Sequence, residues 1–190
     1  MMKFCSNCGS PALDFRIPPG DTLPRQVCSV CATIHYVNPK IVVGCLPEWE
    51  GQVLLCKRAI DPRRGLWTLP AGFLENGETL AAGALRETLE EARARVDIGD
   101  LYTVISLPHI SQIYVMFRAR LLDLDFGPGT ESLEVRLFSE EDIPWNEVAF
   151  RTISRTLRNY FLDRKLDAFS VHVSALEKRA ARDPSLQAAA

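Results

Sequence analysis

Three glutamates on one helical face constrain what the middle of this chain can become. In GFLENGETLAAGALRETLEEARA, residues 72–94, Glu87, Glu90 and Glu91 stand at i, i+3 and i+4, so a helix of 3.6 residues per turn gathers their carboxylates. Two carboxylates about 5–6 Å apart repel by roughly 3 kcal/mol at an effective dielectric near 20. Set opposite an apolar stripe of Ala81, Ala84, Leu85, Thr88 and Ala92, such repulsion asks for a cation. Hard divalent ions that prefer oxygen, Mg²⁺ or Mn²⁺, are the natural candidates. A bare E-x-x-E-E is also what a solvated acidic face looks like, so the context has to decide.

A second constraint lies near the start. Cys5-Ser-Asn-Cys8 and Cys28-Ser-Val-Cys31 are two CxxC pairs separated by 19 residues, a spacing typical of tetrahedral zinc sites. The segment between them, PALDFRIPPGDTLPRQV, turns at Pro18-Pro19-Gly20 between two short extended pieces. Some thirty residues cannot build a self-sufficient core, so bound Zn²⁺ would supply the folding energy. Four sulfur ligands leave no open position for water, which makes the role structural. Such a module can also grip nucleic acid, but Lys3, Arg16 and Arg25 are its only positive charges.

With 190 residues, 47% of them hydrophobic, the chain can bury one good-sized core beside this module. A net charge of −2 argues against a binder of nucleic-acid backbones. No apolar run approaches membrane-spanning length, and MMKFCSNCGS lacks the apolar stretch of a secretory signal. Six cysteines without such a signal read as metal ligands or free thiols, and the expected compartment is the cytoplasm.

Between and beyond these features the pattern alternates strands with two helices. Strands are expected near residues 33–36, 40–46, 53–57, 101–107, 110–122 and 134–139, with a turn at Trp49-Glu50-Gly51-Gln52. Cys45 and Cys56 fall on strands as small buried thiols. Thr79 is placed to cap the acidic helix, and Asn146 to cap a second one with Phe150, Ile153, Leu157 and Phe161 along one side. The stretch from about Glu177 reads as frayed. The fold class is α/β, with helices covering a sheet.

Gly72, Glu78, Arg86-Glu87 and Glu90-Glu91 stand in the order G-x5-E-x7-R-E-x-x-E-E. This resembles the Nudix box, with all six defining Gly, Glu and Arg positions before its final glycine in register. Thr88 stands where a bulky apolar residue is usual. Arg93 replaces the closing glycine, so the helix either runs on towards Gly99 or stops at a modest local cost. GLWTLPAGFLENGE before the box is also similar to the family. The resemblance implies a Nudix-type α/β/α sandwich with a mixed sheet over residues 37–165, a small zinc ribbon over 1–36, and a partly disordered C-terminal extension over 166–190. Zinc ribbon and box together look like a subfamily of ADP-ribose or FAD pyrophosphatases. The related NADH pyrophosphatases carry SQPWPFPxS after the box, where this chain reads SLPHISQIYVMF.

That resemblance implies a metal-dependent hydrolase that cleaves the pyrophosphate of a nucleoside diphosphate linked to another moiety, releasing a nucleoside monophosphate. Glu87, Glu90 and Glu91 would hold Mg²⁺ or Mn²⁺, with the carbonyl near Gly72 as a further ligand. Arg86 would pair with Glu78 and orient the acids, and Gly83 would leave space on the acidic face. An acid from a distant loop, Glu131 or Glu134, would ligate an ion or take a proton from water; both also read as plain surface acids. Arg58 at a strand end is placed to clamp a phosphate. Trp67, Phe73 and Tyr114 would stack on a base or flavin, although aromatics more often serve as core, and His109 and Gln112 would offer hydrogen bonds, although a lone His is more often a satisfied polar residue. The competing readings are a non-catalytic nucleotide sensor and an NADH or RNA-cap pyrophosphatase. A homodimer is expected, with the ribbon or the last helix as its surface.

Overall fold

The structure, a computed structural model, describes residues 2–178. It divides into two compact units, Met1–Asn38 and the chain from Pro39 onward.

The first unit is a three-stranded antiparallel sheet of β1 (Leu13–Arg16), β2 (Arg25–Cys28) and β3 (Ile34–His35). Its buried apolar side chains are few: Cys5, Val27 and Cys28. The sulfurs of Cys5, Cys8, Cys28 and Cys31 all lie within 4.8 Å of one another, with Cys5–Cys31 and Cys8–Cys28 at 3.6 Å. Tetrahedral zinc with Zn–S bonds of about 2.3 Å separates its sulfurs by about 3.8 Å, so the cage fits that ion. The Thr33 hydroxyl, 3.1 Å from the Cys31 sulfur, helps lower that thiol to about 5, favouring the thiolate that binds metal.

The second unit contains β4 (Lys40–Trp49), β5 (Gln52–Arg58), β6 (Trp67–Thr68), β7 (Ala71–Phe73), α1 (Leu80–Ala92), β8 (Val96–Leu107), β9 (Gln112–Leu121), β10 (Ser132–Phe138), α2 (Arg151–Leu166) and β11 (His172–Ala175). They form a mixed eight-stranded sheet in the order β10-β5-β4-β9-β8-β11, with β6 on β5 and β7 on β4. The β4–β9 and β8–β11 pairings are parallel. Both faces of the central strands are covered, which is why β4 and β5 read as nearly unbroken apolar runs. Alternation divides them: Val43 and Cys45 pack with Ala84 of α1, and Leu54 and Cys56 with Ala92. Leu46, Val53 and Leu55 face the other way, onto Ile153, Leu157, Tyr160 and Phe161 of α2. The result is the expected α/β/α sandwich. Among the described residues no helix is long and apolar enough to cross a membrane.

Thr79 caps α1 as anticipated, its hydroxyl accepting from the Ala82 N–H at 3.1 Å. The helix stops at Ala92 with Arg93 left-handed at φ 50° and does not run on to Gly99. What ends it is remote in sequence: the N–H groups of Gly127 and Gly129 donate to the carbonyls of Ala92 and Glu91 at 2.9 and 3.0 Å. These bonds satisfy acceptors that every helix C-terminus leaves open.

Three local expectations need correction. Asn146 does not cap α2; it lies in a 3-10 turn, Trp145–Glu147, and the helix begins after Phe150. The intervening backbone is engaged elsewhere, because the Ala149 N–H donates to the Trp67 carbonyl at 2.8 Å. Gly83 does not open space on the acidic face. A Cβ there would meet Val43, Leu74 and Glu78 at 2.8–3.0 Å, so this glycine lets α1 press onto β4. Residues 172–175, placed in the extension, form an edge strand of the sheet. Buried Asp163 of α2 anchors it, accepting from the Tyr102 hydroxyl at 3.0 Å and lying 2.7 Å from His172 Nε2. The frayed end expected from about Glu177 falls mainly on residues 179–190, outside the described residues.

Candidate active site

Burial divides the three box acids. Glu87 and Glu91 are buried at 9% and 7% exposure, beside Ala84, Thr88 and Ala92, whereas Glu90 is exposed. The acids therefore do not stand opposite the apolar stripe; two of them continue it into the protein. Thr88 fits the interior because its hydroxyl donates to the Ala84 carbonyl at 2.7 Å. Glu91 accepts from the Ala71 N–H at 3.0 Å. The carboxylate of Glu87 fills the space beside Gly72, where any Cβ would collide with it. That contact explains the glycine.

Arg86 organises the acids more extensively than a single pair with Glu78. It grips Glu78 through Nη2 at 2.7 Å and Nε at 3.1 Å, a two-point bond that fixes the plane of the guanidinium. Its Nη1 reaches Glu87 at 2.7 Å and Glu90 at 3.1 Å, and Nη2 also donates to the Phe73 carbonyl at 3.2 Å. The Arg86 bond holds Glu78 below the usual carboxylate range. Burial pushes Glu87 up despite Arg86. Burial likewise drives Glu91 up to about 7, opposed by the Ala71 N–H and reinforced by the charge of Glu87. Buried acids held close together favour a counter-cation.

These acids form one wall of a cavity of about 890 Å³. Glu131, which follows the glycine loop closing α1, stands on its rim, as do Arg58, Phe73, His109, Gln112 and Tyr114. The Arg58 guanidinium lies 5.2 Å from the centre of the Phe150 ring, and its charge is felt at Glu91. Glu87, Glu90, Glu91 and Glu131 bring to this wall the carboxylate oxygens that hard divalent ions prefer.

Three expected residues do not line this cavity: Glu78, which reaches it only through its bonds to Arg86, Trp67 and Glu134. Trp67 is core, 4% exposed and edge-on to Phe138 at 4.8 Å; β6 turns its ring inward and leaves Thr68 facing the cavity. Glu134 lies on β10 opposite Lys57 and approaches Arg136 at 3.8 Å, off the cavity wall. Conversely, the cavity recruits Arg63, Arg151 and Thr152, which the sequence reading missed. Placing the second helix start at Asn146 put Arg151 and Thr152 in its middle, when they are its first turn.

A model described as the NUDIX domain matches residues 38–157, and one described as Nudix N-terminal matches residues 3–37. The chain is 29% identical over 115 residues to the ADP-ribose pyrophosphatase of Methanocaldococcus jannaschii, covering 57% of this chain and 67% of that one. It is 30% identical over 148 residues to the NAD-capped RNA hydrolase NudC of Salmonella heidelberg, covering 75% of this chain and 53% of the relative. It thus spans about half the length of the NudC relatives it matches. A crystal structure of a NUDIX hydrolase from Nitrosomonas europaea superposes with a TM-score of 0.89 at 63% identity, over 93% of this chain and 100% of its own.

Proposed function

The chain belongs to the Nudix family, whose enzymes act on pyrophosphate bonds, and from that premise we propose that it hydrolyses ADP-ribose or a closely related dinucleotide such as FAD to a nucleoside monophosphate. The observation that carries this reading is the pairing, in one cavity, of Glu87, Glu90, Glu91 and Glu131 with Arg58 and three flat or polar side chains, Phe73, Tyr114 and Gln112.

Glu87, Glu90 and Glu91, with the Gly72 carbonyl, would hold the catalytic Mg²⁺ or Mn²⁺, which would supply charge neutralisation at the pyrophosphate oxygens and a water of lowered pKa. Arg86, itself part of the cavity wall, keeps the acids aligned through its Nη1 bonds to Glu87 and Glu90. Glu131 accepts the proton of the attacking water. Arg58 meets a phosphate, while Phe73, half exposed beneath the Lys40 ammonium at 5.0 Å, offers a face for stacking. Leu107, His109 and Ile110 occupy the wall near Gln112; they belong to the segment where NADH pyrophosphatases carry their own motif, which supports ADP-ribose over NADH. Zn²⁺ in the ribbon is structural. A cytoplasmic homodimer completes the reading, the dimer supported by Leu162 and Leu166 exposed on α2.

The test is to incubate the protein and its Glu91→Gln variant with ADP-ribose, FAD, NADH and NAD⁺ in Mg²⁺ or Mn²⁺ and to identify products by mass. AMP from the unaltered protein alone supports the reading and ranks the substrates. Equal turnover by Glu91→Gln defeats it, and binding of ADP-ribose without turnover turns it into a sensor.

A further inference from the structure

We propose that the first turn of α2 is the anion-binding end of this cavity, holding a phosphate oxygen of the substrate; the proposal rests on the pyrophosphatase reading above and specifies how such a substrate is seated. The acidic wall of α1 repels a phosphate wherever no cation intervenes, so the cavity needs a positive surface facing it. α2 supplies one. Its N-terminus points at the cavity through Arg151, Thr152 and Ile153. The first intrahelical bond runs from the Ser154 N–H to the Phe150 carbonyl at 3.0 Å, which leaves the N–H groups of those three residues outside the helix ladder. No side chain caps them, and no acidic residue stands in the first turn. A bare helix start carries roughly half a positive charge and aims its donors outward.

An independent observation makes this end a site. Thr152 is 3% exposed, and its hydroxyl oxygen has no hydrogen-bond partner among the described residues. Leaving such a group buried and unpaired costs about 1–3 kcal/mol. Oxygen acceptors on a seated ligand would satisfy this hydroxyl together with the neighbouring N–H groups. The surroundings carry matching charge. The Arg58 guanidinium rests against Phe150, the residue just before the helix. Arg151 is steadied by its Nη1 donating to the Glu177 carbonyl at 2.8 Å. The ligand class is a phosphate ester or diphosphate, read here by backbone and hydroxyl.

Two measurements on the full chain test this. In the first, the protein is dialysed into buffer free of Mg²⁺ and Mn²⁺, without a chelator that would strip the ribbon's Zn²⁺, so that the acids hold no phosphate through an ion, and thermal unfolding is followed as inorganic phosphate is added. Phosphate should raise the midpoint of the unaltered protein and of Thr152→Ser, and Thr152→Val should lose most of that rise. In the second, Thr152→Val should raise KM for ADP-ribose about tenfold with little change in kcat, and Thr152→Ser should restore it. No response to phosphate in the unaltered protein overturns the proposal without recourse to any variant, so misfolding of Thr152→Val does not shelter it. An undiminished response in Thr152→Val overturns it as well. A protein that turns over none of the dinucleotides, yet whose phosphate response vanishes in Thr152→Val, keeps the anion site and loses the pyrophosphatase reading.

Discussion

The two helices flank the same sheet but are finished in opposite ways. α1 is closed at both ends, by the Thr79 hydroxyl at its start and by Gly127, Gly129 and left-handed Arg93 at its finish, and it carries two buried acids. α2 is longer, runs from Arg151 to Leu166, and starts with no side-chain cap at all. The difference follows from what each presents to the cavity. α1 presents side chains, which need a helix that does not fray; α2 presents its own backbone terminus, which a cap would occupy.

The comparison breaks most visibly at the acids. Glu91→Gln should lower kcat on ADP-ribose by about 10³-fold in Mg²⁺, and a fall confined to KM would mean that α1 binds without taking part in the chemistry. Next is the far end of α1. A Cβ on Gly129 would overlap the Glu90 carbonyl, so Gly129→Ala should destabilise the protein by about 3 kcal/mol in urea unfolding. A negligible change would show that the loop can lift away and that α1 does not depend on it.

A third prediction concerns pH in the absence of divalent ions. Folding raises Glu91 from its ordinary 4.5 to about 7, so the fold prefers the protonated acid. Its contribution to stability is therefore complete below 4.5 and is lost as pH rises through about 7. In buffer free of Mg²⁺ and Mn²⁺, with the ribbon's Zn²⁺ left in place, Glu91→Gln should match the unaltered protein at acid pH and exceed it by about 2 kcal/mol at mildly alkaline pH. A pH-independent difference would place the cause in packing. The smallest effect is at the start of α1, where Thr79→Ala should cost about 1 kcal/mol and Thr79→Ser much less, measured by thermal unfolding.

Legibility in the sequence followed the range of the interactions. The acid face, Thr79 and the cysteine cage rest on contacts within a few residues or on fixed spacing, and the pattern carried them. The finish of α1 was ambiguous because its partners, Gly127 and Gly129, lie more than thirty positions away. The start of α2 was misplaced because Asn146 is a good cap by local chemistry, while the pairing of Ala149 with Trp67 keeps the backbone extended past it. Trp67 and Phe73 are both aromatics near the box, and only the alternation along β6 and β7 separates the core ring from the exposed one. Glu131 stands in the turn just before β10 and Glu134 on the strand itself, opposite Lys57, a matter of where the strand begins that no motif encodes.

The short last strand has a consequence for how the molecule behaves among its own copies. β8 is twelve residues long and would be an open edge of the sheet, a template for any passing strand. β11 covers Thr103–Ser106, while Asp97, Gly99 and Asp100 guard the opposite end by charge and by weak strand preference. His172 and Asp163 thus act as a clasp on a protective strip. A chain cut before Val171 would keep every box residue and still expose a sticky border, so its first failure in solution would be self-association.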